Sequence, residues 1–156
     1  MNLAFVLVFF VGAAPFWTLM IVAPRWRWTQ RIMSTPWSST LPLVFWFFFA
    51  IPRLGELVPA VAKPTLPVWQ ELVAQPAVLI FMWAQIIAWD LFVGRWMYLD
   101  SRERGIHPLV MAPVLVLAIM LSPIAMLLYL VLRSVLGNAS RGVPRKEVAA
   151  REPVSV

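Results

Sequence analysis

Residues Pro76–Tyr98 read PAVLIFMWAQIIAWDLFVGRWMY, and no ionisable side chain appears in this run before Asp90. A helix that crosses a hydrocarbon core of about 30 Å needs roughly 20 apolar residues at 1.5 Å each. The run meets that requirement and predicts a membrane-crossing helix over 76–98. Asp90 is its anomaly. Counted back from Leu99 it lies about nine residues, or roughly 13 Å, inside the helix end. A central Asp costs about 2.5–3.5 kcal/mol on insertion scales, so an acid here needs a reason.

The rest of the chain agrees about the solvent. Of 156 residues, 62% are hydrophobic and only 13% charged, with a mean hydropathy of +0.81. A soluble domain is about half apolar and a quarter charged, so this chain lacks the polar surface to cover a globule in water. Nine Trp fit interfacial anchoring. The net charge of +6 resides in connections and tail, the pattern of loops beside anionic headgroups, and nucleic acid is not an expected partner. With no cysteine, disulfides and thiolate sites are excluded. The opening MNLAFVLVFFVGAAPFWTLMIVA has no basic start and no convincing cleavage site, and reads as a retained span.

Four apolar runs emerge, and the expected architecture is an all-α integral membrane protein. It is a four-helix transmembrane bundle over 1–133, with spans at about 2–23, 38–59, 76–98 and 108–132. Pro15, Pro113 and Pro123 fall inside three of them. The second run is the weakest. LPLVFWFFFAI over 41–51 stops at Pro52-Arg53 and reads equally as re-entrant; it spans only by continuing through Arg53 and Glu56, spaced to pair on one face. Four crossings divide the basic residues almost evenly between the two sides. Three crossings, with the second run held back, give ten against three, so charge alone favours three. Residues 134–156 read as a basic, disordered tail near lipid.

On its own helix Asp90 shares a face with Trp83, Ile86, Ile87, Gly94 and Met97. Gly94 lets a neighbouring helix approach closely. Arg95 lies about 140° around the helix and cannot easily reach back. Asp90 therefore needs a partner from another helix, such as Thr18, or else stays protonated. On its own it reads first as a hydrogen-bonder that glues helices and second as a general acid. Gln85 is also about 140° from Asp90, and matching depth predicts a Gln85–Ser122 hydrogen bond. One histidine, no cysteine and one deep acid give no metal site, and no nucleotide-binding motif is present. His107, before Pro108, reads as a helix cap or interfacial residue.

Three segments carry a resemblance. APRWRWT (23–29), DLFVGRW (90–96) and SPIAMLLYLVLR (122–133) together resemble the abscisic-acid-deficient-four-like family, plant factors of neoxanthin formation and their bacterial relatives. The likeness runs from about residue 2 to 133. It implies four helices, a bacterial cytoplasmic membrane, no cofactor, and action on or binding of a carotenoid or other long isoprenoid. The implied reaction opens an epoxide to an allenic alcohol. Only Asp90, as the acid, and Arg95 carry over by position; Gln85, Gly94, Ser122 and Thr18 join Arg95 as candidate substrate contacts by their placement alone. An aromatic crowd of Phe45–Phe49, Trp83, Trp89 and Phe92 would line a polyene groove. This chain has Gln85 where family members often place a histidine, and Ser122 and Ala125 where glycines are usual. The competing reading is a non-catalytic assembly factor or pigment-binding subunit, working as a homo-oligomer or with a membrane partner.

Overall fold

A computed structural model of the chain describes residues 3–136. Its elements are helices: α1 (Leu3–Gly12), α2 (Ala14–Val22), α3 (Arg27–Ser34), α4 (Leu41–Ala50), α5 (Leu54–Ala62), α6 (Leu66–Val73), α7 (Pro76–Glu103) and α8 (Pro108–Leu136). Short 3₁₀ turns at Pro36–Ser39 and Ile51–Arg53 lead into α4 and α5. Four stretches, Leu3–Val22, Leu41–Ala62, Pro76–Glu103 and Pro108–Leu136, are long and apolar enough to cross a membrane. Most of the predicted tail, 137–156, lies outside the described residues. Helix, however, continues through Ser134 to Leu136, past the predicted end at 132.

The first apolar run is broken at Ala13 (φ −130°, ψ −41°), two residues before Pro15. A proline here lacks the N–H that a continuous helix would use and crowds the preceding turn. The two halves still run alongside α7 in the same direction. Phe5 stacks on Trp83 with ring centroids 4.8 Å apart, and Trp17 lies against Gly94. A Cβ built on Gly94 would fall inside the Trp17 indole, 2.6 Å from Cζ3. Glycine is there because the indole occupies the space of a side chain. Trp17, Met20, Leu91, Met97 and Tyr129 are among the buried residues of the main core.

The second run breaks where the sequence broke. α4 packs along α7, and the Pro52 turn starts a second helix with Pro59 inside it. Arg53 and Glu56 do not pair directly. Gln75 bridges them: its Oε1 accepts from Arg53 Nε at 3.4 Å, and its Nε2 donates to Glu56 at 3.1 Å. Leu57 and Ala60 join Ala50, Leu72, Val78 and Phe81 in a second, smaller core.

α8 departs most from expectation. Its length suits a crossing, but Leu121 is non-helical (φ −140°, ψ 61°) and the two arms, 108–120 and 122–136, do not continue in line. The contacts give the direction. α8 starts five residues after Glu103, yet Tyr129, about 32 Å along a straight helix from Pro108, hydrogen-bonds Asp100. Ser122 meets Asp90, while Tyr129 and Arg133 meet Trp96 and Asp100. The second arm thus runs parallel to α7, and the first returns against it. α8 is a hairpin with its bend level with Asp90. At about 20 and 22 Å, each arm is shorter than the hydrocarbon core.

The bend has a chemical cause. Pro123 has no N–H and its ring excludes the carbonyl four residues back, while the residue before a proline is pushed from helical angles. Pro113 sits in the first arm without a break, so proline alone does not reverse the chain. The second arm is also held by its contacts to α7.

Two expectations follow. In sealed vesicles of this cysteine-free chain, single cysteines at Glu103 and Leu136 should react with a membrane-impermeant maleimide from the same side; a straight α8 would place them on opposite sides. Gly94→Ala should lower the thermal midpoint in detergent, at a cost of about 1–3 kcal/mol from overpacking against Trp17.

Candidate functional site

Asp90 is half-buried on α7, at the depth where α8 turns. Its carboxyl lies beside the Ser122 hydroxyl, close enough to interact with it. Ser122 opens the second arm of α8, so the acid sits beside a helix start, where unpaired N–H groups favour negative charge and oxygen acceptors. No ion pair to Asp90 is formed among the described residues. A carboxyl paired only with a hydroxyl in apolar surroundings can donate or accept a hydrogen bond, and can deliver a proton to an oxygen brought against it.

The other predicted site residues scatter. Thr18 is exposed and donates its hydroxyl to Ala14 O at 2.8 Å, one turn back on its own helix; it does not reach Asp90. The expected Gln85–Ser122 bond is absent, because Ser122 is taken by Asp90 and Gln85 points elsewhere. Gln85 instead lines a groove of about 310 Å³ with Ser39, Leu43, Trp89 and Phe92. Arg95 is a clamp. Its Nε donates to Met33 O at 2.6 Å and Nη2 to Ser34 O at 3.1 Å, covering carbonyls at the end of α3 that have no partner in their own helix. Gly94 is filled by Trp17. The structure therefore joins Asp90 to Ser122 and leaves Gln85, Arg95 and Thr18 on separate tasks.

Sequence reasoning missed the densest polar cluster. Asp100 Oδ2 accepts from Tyr129 Oη at 2.5 Å and Arg104 Nε at 2.7 Å, and pairs with Arg133 Nε at 3.1 Å. The Trp96 ring meets Tyr129 edge-on at 5.5 Å, and the Arg133 guanidinium lies over it at 5.7 Å. Asp100–Arg104 was legible as an i, i+4 pair. Tyr129 and Arg133 were not, since they reach Asp100 only through the reversal of α8.

Further bonds fix the 23–40 connection to α7. Tyr98 donates to Pro24 O at 2.7 Å, and the buried Thr29 donates to Ala23 O at 2.9 Å. His107 does act at the helix start: Nδ1 accepts from Leu109 N–H at 3.3 Å, and Nε2 faces Arg25 Nη2 at 3.1 Å. An imidazole has at most one bare nitrogen, so it accepts only one of these bonds at a time. A second cavity, about 530 Å³ and walled by Trp46, Leu57, Val58, Trp69 and Phe81 among others, is almost wholly apolar. The aromatic crowd thus serves two separate hollows, and Phe47 and Phe48 project outward. No group of three or more His, Cys, Asp or Glu side chains able to hold a metal ion occurs among the described residues.

These features define a class: an all-helical protein whose four main segments are long and apolar enough for a membrane, with few polar groups inside. The family follows from comparison. The model of the family described as ABA DEFICIENT 4-like matches residues 3–129, and the chain belongs to that family. No curated protein and no solved structure matches the chain.

Tyr129→Phe should loosen the second arm of α8 while leaving α7 intact. A hydrogen bond to a half-buried carboxylate is worth about 1–2 kcal/mol. Thermal unfolding in detergent should register that loss, with faster amide exchange confined to 122–136.

Proposed function

We propose that this protein resides in the bacterial cytoplasmic membrane and binds, and acts on, a carotenoid or other long isoprenoid, with Asp90 as the acid. The observation that carries this reading is the Asp90–Ser122 pair: a half-exposed carboxyl within an apolar helix, with a hydroxyl partner and no countercharge among the described residues. Helix interiors in lipid hold acids at a cost, and such acids are functional candidates by default. Family membership supports the same direction.

For an epoxide substrate the step is an isomerisation. Asp90 gives its proton to the epoxide oxygen as a C–O bond breaks, and a neighbouring C–H proton leaves to a base as the new double bond forms. One proton enters and one departs, and no electrons are transferred. Ser122 holds the carboxyl in place for this transfer.

A second reading is favoured by a specific observation. Gln85 has no acid–base capacity near neutral pH, and the groove it lines does not include Asp90. A protein that holds the isoprenoid, or hands it to a partner complex, needs only the grooves.

The test is Asp90→Asn in lipid nanodiscs loaded with an epoxy-carotenoid, with extracted pigments separated after incubation. Asn preserves the contact with Ser122. The acid role predicts a loss of conversion of at least about 100-fold, the lower range for general acid catalysis, with bound pigment per protein unchanged. Full conversion by the variant would remove Asp90 from the chemistry. Pigment bound by the native chain without conversion would establish the second reading.

A further inference from the structure

The groove beneath Trp89 and Phe92 contains two polar groups that the fold itself does not use. Ser39 is 5% exposed, and its Oγ is buried without a hydrogen-bond partner among the described residues. Buried polar groups are almost always paired, so such an orphan calls for an explanation. Across the groove stands Gln85, exposed, with no hydrogen bond to any described residue. It is the only amide in the otherwise apolar run from Pro76 to Trp89. An unpaired amide facing hydrocarbon is costly, because lipid tails cannot hydrogen-bond it. Thr40, on the same rim, already donates to Trp37 O at 2.8 Å.

We propose that this groove seats the polar end of a neutral lipid, an isoprenoid ending in a hydroxyl or carbonyl, with Ser39 and Gln85 as its hydrogen-bonding pair. The walls select the rest of the molecule. Pro36, Leu43 and Ala88 are apolar, and the Trp89 and Phe92 rings lie 6.0 Å apart at 28°, offering a flat surface at the open side. No charged side chain lines the groove. A carboxylate or phosphate terminus would be desolvated there without compensation, so a neutral end is preferred. About 310 Å³ is at the small end of the roughly 300–1,000 Å³ of ligand pockets. The groove therefore takes one end of a long molecule, whose remainder runs out over the aromatic rings. It is too small for a helix from a second copy. The site lies apart from the Asp90–Ser122 pair, and it rests on the isoprenoid reading above only for the class of lipid.

Tritiated geranylgeraniol is the probe, bound at equilibrium to the full chain in detergent micelles. Its deoxy hydrocarbon and geranylgeranoic acid serve as competitors. The expected result is saturable binding, with both competitors at least about 10-fold weaker than unlabelled alcohol. Ser39→Ala and Gln85→Leu should each weaken binding about 5–10-fold, the scale of one hydrogen bond. Ser39→Ala removes an unpaired hydroxyl, so the fold should tolerate it. Equal competition by alcohol and hydrocarbon, or native-like binding by both groove variants, would overturn the groove assignment and leave the isoprenoid reading standing. Failure of the native chain to bind any of the three would overturn both. A change of oligomeric mass in Gln85→Leu with lipid binding unaltered would make this face a protein interface and overturn the assignment.

Discussion

One carboxylate oxygen governs the path of the last 29 residues of the described chain. Asp100 Oδ2 receives a phenol from the far arm of α8, a guanidinium from the next turn of α7 and a second guanidinium from near the end of α8. Charge-assisted bonds are the strong members of their kind, and three on one atom in partly buried surroundings make a firm joint. Without it the arm 122–136 would have mainly apolar contacts to hold it. In hydrocarbon these provide little discrimination between one packing and another, because lipid tails are as apolar as leucine. The joint therefore sets direction as well as strength. It lies where the chain leaves the most apolar part of α7, so water and headgroups can share the burden of solvating its charges.

A second constraint is steric. Trp17 fits against α7 only because Gly94 has no side chain, and this single contact sets how closely the first helical pair approaches the longest helix. Arg95, the next residue, then faces the other way and captures the carbonyls that end α3. Adjacent residues thus fix two neighbours of α7 from different sides. Tyr98 adds a third point by holding Pro24. The DLFVGRW run is compact because close packing and connection anchoring are concentrated in it.

Much of the fold was legible because length and hydropathy act locally. The long helix that starts at Pro76 and the interruption at Pro52 follow from residue types and their immediate neighbours. The small residue at 94 announced a close approach, and the structure supplies the partner. The reversal of α8 was not legible. Its buried positions, Met111, Val114, Leu115, Ala118, Ser122, Ala125 and Tyr129, form one unbroken helical stripe, so periodicity reads straight through the bend. Only contacts between residues distant in sequence reveal it. The site divided in the same way. Asp90 stood out by its cost. Its partner was misassigned to Thr18, whose hydroxyl turns back to Ala14 O on its own helix, and Ser122 to Gln85, because matched depth alone does not say which face of α7 the serine meets. Ser39 gave no signal, since an unpaired hydroxyl looks like any other serine until its surroundings are known.

The doubled-back α8 changes what has to be carried through a bilayer during synthesis. With both ends of that hairpin on one face, the chain leaves Leu136 on the side that holds the 23–40 and 104–107 connections. Of the nine Lys and Arg among the described residues, all but Arg53 and Lys63 then belong to that side. The six against three that a straight α8 would produce becomes seven against two. A translocation machinery reading basic charge would receive an unambiguous instruction. Residues 108–136 would need no transfer to the far side: they would enter from the side on which they were made and return to it.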